Sequence, residues 1–170
     1  MPYACPPQGL YGPIAYELSL GGKRIRPVLM LMAYNLYQDN VDAILSQAAG
    51  LETYHNHTLL HDDVMDKADM RRNKPTVHNV WNENTAILSG DAMLILAYRL
   101  MADCPKDKLA DVLHVFTETT MEILAPSRFR TVRAANLAKE RRYRNVTLLG
   151  RLLAAFARYG MRRNYRRRPW

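Results

Sequence analysis

Apolar residues recur at helical spacing along most of the first 123 residues. The pattern predicts helices over Gly9–Leu20, Val28–Tyr37, Asp42–Lys67 and Asn82–Ala102, and from Pro105 to about Ile123. Residues 68 to 81 interrupt this pattern, and we expect them to form a loop. Because no stretch alternates convincingly with the period of a strand, the sequence predicts an all-α protein.

The predicted helices differ in how much of their surface we expect to be buried. The first is amphipathic, with Leu10, Ile14 and Leu18 on one face and Gly21-Gly22 ending it. The second, over Val28–Tyr37, is so apolar that we expect all of it to be buried. For the third, the predicted buried side consists of Ile44, Leu45, Ala48, Leu51, Leu59 and Leu60.

Charge divides the chain into two parts. The net charge is +8, but residues 1–123 carry a net −5, whereas residues 124–170 carry +13 with Glu140 as their single acid. We therefore predict a domain over 1–123 and a separate arginine-rich tail over 124–170, disordered or loosely helical. A fused segment or a change of reading frame would each produce this break. A basic amphipathic tail could also bind membranes or nucleic acid.

Composition narrows the class of protein further. Cys5 and Cys104 have neither metal-site nor redox-motif spacing, so we expect a reducing, cytoplasmic location. The first residues lack the basic and apolar regions of a signal peptide. The longest apolar run, Val28 to Tyr34, is too short to span a membrane, so we expect no transmembrane segment.

Three carboxylates stand close together at Asp62, Asp63 and Asp66, and Arg71 and Arg72 follow. In a helix, Asp62 and Asp66 lie one turn apart on the same face. Neighbouring carboxylates repel one another, and Mg²⁺ shared with phosphate oxygens would relieve that repulsion. Arginine forks suit a second anion. The pattern indicates a site for a metal and a diphosphate, although a solvated acidic helix end has the same sequence.

Other charged and histidine residues extend this set. Lys23, Arg24 and Arg26 stand at a predicted helix start, where an anion is a favourable partner. His55, His57 and His61 beside carboxylates could suggest Zn²⁺. We discount Zn²⁺ because we expect His57 and His61 to lie on different faces of their helix.

The order of these motifs resembles that of the trans-prenyltransferases, the polyprenyl (isoprenyl) diphosphate synthases. The resemblance runs from about Gly9 to about Ile123 and rests on Gly21–Pro27, His55, the aspartate cluster, Arg71-Arg72 and Pro75–His78. It implies an isoprenoid-synthase bundle of antiparallel helices, here incomplete and followed by an unrelated basic tail. It also implies a homodimer for the complete protein.

The family resemblance also implies a reaction and residue roles. The reaction is head-to-tail condensation of isopentenyl diphosphate with an allylic diphosphate, and the cofactor is Mg²⁺. The implied metal ligands are Asp62, Asp66 and Asp63; the catalytic residues are these three and Arg71. The implied substrate-binding residues are Lys23, Arg26, His55, Arg71 and Arg72.

Beyond Ile123 the chain departs from the family pattern. The expected Gly-Gln pair, Lys-Thr pair and second aspartate-rich motif are missing from residues 124–170. A catalytically impaired fragment, or an inactive partner subunit that only binds diphosphate, is therefore an alternative to an active synthase. Nucleic-acid binding through the tail is less favoured. In the family, the residue five positions before the first aspartate limits product length; His57 there implies a short or medium product such as farnesyl or geranylgeranyl diphosphate.

Overall fold

The computed structural model describes residues 8–129, and nearly all of their regular structure is helical. The elements are α1 (Gln8–Ser19), α2 (Ile25–Asn35), a 3₁₀ turn (Val41–Ile44), α3 (Leu45–Met65), β1 (Met70–Arg71), β2 (Lys74–Pro75), α4 (Val77–Val80), α5 (Glu83–Ala102) and α6 (Leu109–Phe129). The all-α prediction is confirmed, and each predicted helix is present with shifted ends. α6 continues past residue 123 to Phe129. Because residues 130–170 are not described, the predicted domain boundary at 123–124 stays a prediction. Residues 130–170 of the predicted tail lie outside the described residues.

Local chemistry accounts for several of these ends. Gly21 and Gly22 follow α1 with φ of 85° and 133°, values that glycine adopts without a steric penalty. Asn82 caps α5, because its Oδ1 accepts a hydrogen bond of 2.8 Å from the Thr85 backbone N–H. Asp42, predicted to begin the third helix, instead lies inside the 3₁₀ turn that precedes α3.

The described residues fall into two compact units. Residues 8–25 and 49–100 belong to the first, and 26–48 and 101–129 to the second. The core of the first unit joins α1, α3, α4 and α5 through Ile14, Leu60, Val77, Ala86 and Met93. Leu18 packs against this cluster, as the amphipathic pattern of α1 predicted.

The second unit buries one face of α2 together with parts of α6. Met30 and Tyr34 are buried on α2, one turn apart. At the start of α3, Ser46 Oγ donates to Asp103 Oδ2 at 2.6 Å and Gln47 Nε2 donates to the Asp103 carbonyl at 2.5 Å. These bonds join the start of α3 to the loop between α5 and α6.

The prediction that all of Val28–Tyr37 is buried was wrong. Val28, Met32 and Leu36 are 49%, 59% and 77% exposed. They follow one another at four-residue spacing, so they form a face opposite Met30 and Tyr34. Leu45, predicted on the buried side of α3, is also exposed. High apolar content marked these segments correctly as helical, but it did not determine which faces are covered.

Residues 68–81, predicted to be a loop, contain a small hairpin and the short helix α4. β1 and β2 pair antiparallel, with Met70 opposite Pro75 and Arg71 opposite Lys74. The two residues between the strands, Arg72 and Asn73, have φ of 52° and 62°. Positive φ at both positions is what the twist of a two-residue hairpin requires. Two-residue strands are too short for an alternating pattern to reveal them.

The helix α5 is both apolar and partly exposed. By length and composition it could cross a bilayer, a criterion that the core helices of soluble proteins also meet. Met93 and Ala97 are fully buried on one side, whereas Ile95 is 69% exposed on another. Asp91 and Arg99 are also exposed. These features are those of a helix with one packed face.

α3 approaches α5 closely at Gly90. A Cβ atom at this position would overlap the imidazole of His61. His61 Nε2 lies 3.2 Å from the Ile87 carbonyl oxygen, so the ring occupies a defined place against α5. An alanine at position 90 would therefore require the His61 ring to move, and no positive φ is involved at this position.

We predict that Gly90→Ala destabilises the fold by about 1–3 kcal/mol, because the His61 ring must move out of its packed position. The matched control is Gly9→Ala, where an added Cβ meets nothing within 4 Å. That change should be neutral or stabilising by up to about 1 kcal/mol, since alanine favours a helix. Urea denaturation measures both. Because alanine also gains helix propensity at position 90, the close approach would be contradicted if Gly90→Ala stabilised the protein as much as Gly9→Ala does.

Candidate functional site

The end of α3 presents the three aspartates in different environments. Asp62 is half-buried, Asp63 is 4% exposed, and Asp66 is exposed in the turn that follows the helix. The backbone N–H of Asp66 donates to the Asp62 carbonyl at 2.8 Å, which extends the helical spacing by one residue. Asp62 and Asp66 therefore lie one turn apart, as predicted, while Asp63 is directed into the protein.

Asp63 forms a bidentate ion pair with Arg71 of β1. Arg71 Nε donates to Asp63 Oδ2 and Arg71 Nη2 donates to Oδ1, both at 2.5 Å. This hydrogen-bonded carboxylate is the main reason why the pKa of Arg71 is raised above its usual value. Planar fork-to-fork pairing is the strongest arrangement of these two groups. Each oxygen of Asp63 thus accepts one hydrogen bond from Arg71, and a metal ion bound to Asp63 would have to share the carboxylate with that guanidinium group.

Arg72 lies at the tip of the same hairpin and contacts the glycine turn. Its Nη1 donates to the Gly21 carbonyl oxygen. A Cβ atom on Gly22 would lie 2.9 Å from Arg72 Cζ, so the guanidinium group packs directly on this backbone. Positive φ therefore favours glycine at both positions, and at Gly22 the contact with Arg72 leaves no room for a Cβ atom. The structure thereby brings Arg72 next to the segment that carries Lys23.

The remaining predicted substrate-binding residues occupy different settings. Lys23 is exposed immediately after the glycine pair, and His55 is half-buried on α3. Arg26 is half-buried in the first turn of α2 and belongs to the second unit. Within the first unit, the structure therefore pairs Asp63 with Arg71 and places Arg72 against the glycine turn.

The described carboxylates and histidines do not converge into a complete metal site. Within residues 8–129, no group of three or more His, Cys, Asp or Glu side chains is arranged to hold a metal ion. Asp62 and Asp66 supply oxygen donors, which suit a hard cation such as Mg²⁺. Mg²⁺ commonly takes only one or two carboxylates from a protein and its other ligands from phosphate and water. The donor set therefore fits a Mg²⁺ ion that a phosphate ligand shares.

The expectation that His57 and His61 lie on different faces of α3 was wrong. They are four residues apart, about one helical turn, and their ring centroids lie 4.6 Å apart in an edge-to-face contact. His57 Nδ1 lies 2.9 Å from the Gly90 carbonyl oxygen. Burial, with a contribution from His61, lowers the pKa of His57 to about 4. His57 is thus a neutral residue packed between helices at physiological pH.

Glu17 is a buried acid near these charged residues. Its burial was not predicted from the sequence. It is fully buried, and neither carboxyl oxygen has a hydrogen-bond partner in the described part of the chain. Burial raises its pKa to about 7; Asp63 adds to this effect, and Arg71, Arg72 and Arg24 oppose it. The signal was available in the sequence, because position 17 lies three residues after Ile14 on the apolar face of α1.

Comparison with known proteins identifies the family. The family model described as polyprenyl synthetase matches residues 7–147. A short chain isoprenyl diphosphate synthase from Methanocaldococcus jannaschii is 42% identical over 115 residues, which are 67% of this chain and 35% of the relative. This chain belongs to the polyprenyl synthetase family, and it spans about a third of the length of that relative.

Solved structures agree with this assignment. A geranylgeranyl pyrophosphate synthase crystal structure aligns with a TM-score of 0.76 and 40% identity over 91% of this chain and 50% of that chain. The geranylgeranyl pyrophosphate synthetase of Pyrococcus horikoshii aligns with a TM-score of 0.74 and 31% identity over 91% of this chain and 49% of that chain. The described residues therefore have an all-α isoprenoid synthase fold, and the chain as a whole aligns with about half of each solved chain.

We predict that Glu17 makes stability fall as pH rises. Its pKa is about 7 in the folded protein and 4.5 as the reference value, so the unfolded chain releases this proton first and ionisation favours unfolding. Compared with Glu17→Gln, the wild-type protein should lose about 3 kcal/mol between about pH 4 and about pH 7. Urea denaturation at both pH values measures this difference.

Glu118→Gln is the matched control, because Glu118 is an exposed acid on α6. Its stability should follow that of the wild-type protein at both pH values. A constant difference in stability between wild type and Glu17→Gln across this range would contradict the raised pKa of Glu17.

Proposed function

We propose that this chain carries the diphosphate-binding, N-terminal part of a short-chain isoprenyl diphosphate synthase. The reaction would join isopentenyl diphosphate to an allylic diphosphate, head to tail. The observation that supports this best is the bidentate pair between Asp63 and Arg71, which fixes a guanidinium group beside the helix end that bears Asp62 and Asp66. Relatives named as geranylgeranyl and farnesyl diphosphate synthases support a short or medium product.

In this proposal the three aspartates have different roles. Asp62 and Asp66 would hold Mg²⁺, which supplies positive charge for the diphosphate that leaves the allylic substrate. Asp63 would act through Arg71, because its two oxygens already orient that guanidinium group. Arg71 would then stabilise the allylic diphosphate with its remaining N–H donors. A metal ion bound by Asp63 itself would share the carboxylate with Arg71.

The second substrate would be held by the cations around the glycine turn. Lys23, Arg72 and His55 would bind the diphosphate of isopentenyl diphosphate. The allylic C–O bond breaks and its electron pair leaves with the diphosphate. The double bond of isopentenyl diphosphate then forms the new C–C bond, and the departing diphosphate accepts the proton that is lost.

A second candidate function is diphosphate binding without efficient turnover. The chain covers 35% and 37% of the lengths of two archaeal relatives, and no aspartate follows Asp111 in its sequence. Family chemistry uses two facing aspartate clusters, so a chain with one cluster would be an impaired enzyme or an inactive partner of a longer subunit. A homodimeric state and a cytoplasmic location for the complete enzyme belong to the same proposal.

We predict that the 170-residue chain binds inorganic pyrophosphate weakly and in a Mg²⁺-dependent manner. Asp62→Asn or Asp66→Asn should remove most of the gain in affinity that Mg²⁺ produces, about tenfold or 1.4 kcal/mol. Asp111→Asn is the matched control, since Asp111 is an exposed aspartate in the first turn of α6. Isothermal titration calorimetry with Mg²⁺ and with EDTA measures each affinity.

The same preparation should show no efficient incorporation of labelled isopentenyl diphosphate with allylic primers. Loss of half of a preorganised electrostatic site removes several kcal/mol of transition-state stabilisation. Equal pyrophosphate affinity with Mg²⁺ and with EDTA would contradict the proposed metal site. Turnover at a rate typical of the family would instead contradict the impaired-fragment alternative.

A further inference from the structure

Arg24 stands among three cations that the sequence suggests for anion binding, but its guanidinium group has protein partners on two sides. Arg24 Nη1 donates to Glu52 Oε1 at 2.5 Å, and Nη2 donates to the Leu18 carbonyl oxygen at 2.7 Å. The first partner lies on α3 and the second lies near the end of α1. A single side chain therefore ties the glycine turn to both helices.

The backbone at Arg24 indicates that these contacts hold the turn in a specific conformation. Arg24 has φ of 48°, in the left-handed region that non-glycine residues seldom occupy. A conformation of this kind persists only where the surrounding structure determines it. Here the two hydrogen bonds from the guanidinium group supply that determination, because they fix the side chain at both of its terminal nitrogens.

Glu52, the partner of Arg24 on α3, is itself fixed by burial and by contacts with Asn56. Its side chain is 12% exposed, against 34% for Arg24. Asn56 Nδ2 lies 3.2 Å from the same Glu52 Oε1 and donates to the Glu52 carbonyl at 2.8 Å. The carboxylate oxygen that accepts from Arg24 is thus fixed to its own helix. His55 directly precedes Asn56 on α3, and Lys23 directly precedes Arg24 in the chain.

We propose that Arg24 and Glu52 form a clasp that positions Lys23 relative to His55 for binding the diphosphate of isopentenyl diphosphate. This inference rests on the proposed function. Neither residue of the clasp touches the ligand. Arg24 and Glu52 act through the turn and through α3, respectively, and they keep the glycine turn where Arg72 contacts it.

The sign of the Glu52→Gln effect distinguishes a positioning role from simple electrostatics. Glu52→Gln removes a negative charge, so electrostatics alone predicts equal or tighter binding of a diphosphate. The clasp predicts weaker binding, because Arg24 loses its charged acceptor and the turn is no longer fixed. Arg24→Gln should weaken binding for the same reason, and the double variant should be no weaker than either single variant.

The experiment measures the affinity of the 170-residue chain for isopentenyl diphosphate by calorimetry in EDTA, with folding of every variant checked by circular dichroism. We expect each single variant to lose about tenfold in affinity, the typical contribution of one charge-assisted hydrogen bond. Arg99→Gln is the matched control, because Arg99 is an exposed cation on α5. It should bind as the wild-type protein does.

If a glutamine variant does not fold, Arg24→Lys provides the same test, since lysine keeps the charge but cannot reproduce the planar fork to both acceptors. We expect a similar loss of affinity. Unchanged or tighter binding by Glu52→Gln, or wild-type binding by folded Arg24→Lys, would overturn the clasp alone. Absence of binding by the wild-type chain would overturn the proposed function and the clasp with it.

Discussion

The ion pair between Asp63 and Arg71 is the interaction on which the candidate site depends. Asp63 points into the protein from the last turn of α3, and a carboxylate buried there without a partner would be strongly destabilising. Arg71 can reach it only if the chain after α3 folds back on the helix. The hairpin accomplishes this with Arg72 and Asn73 in left-handed conformations at its tip. Arg72 is thereby carried to the glycine turn. The position of Asp63 is therefore linked to the positions of both arginines and, through Arg72, to that of the glycine turn.

Two of the acidic side chains near this site form ion pairs with arginine, and a third, Glu17, does not have a hydrogen-bond partner in the described residues. Arg71 and Asp63 neutralise each other, and Arg24 is matched by Glu52. Glu17 remains buried beside these groups without a hydrogen-bond partner in the described part of the chain. Because burial raises the pKa of Glu17 to about 7, its carboxyl group is protonated and uncharged below neutral pH.

Helical periodicity and turn chemistry were enough to predict the fold class, the helices and the glycine turn. The motif spacing was enough to indicate the family. Contacts that join separated segments could not be predicted in this way. The bond from Arg72 to the Gly21 carbonyl and the clasp from Arg24 to Glu52 depend on how far the chain turns between helices. Burial of α2 was predicted wrongly because apolar content does not specify which face finds a partner. Glu17 could have been found, since an acid on the apolar face of α1 is a visible exception to the pattern.

The most direct test of this account is a double-mutant cycle on the central ion pair. Asp63→Asn and Arg71→Met, separately and together, are compared with the wild-type chain by urea denaturation at neutral pH. Each single variant should lose about 3 kcal/mol of stability, because each leaves a charged or polar partner unsatisfied. The double variant should lose clearly less than the sum of the two. Additive losses would mean that the two side chains do not depend on each other, and that would contradict the account.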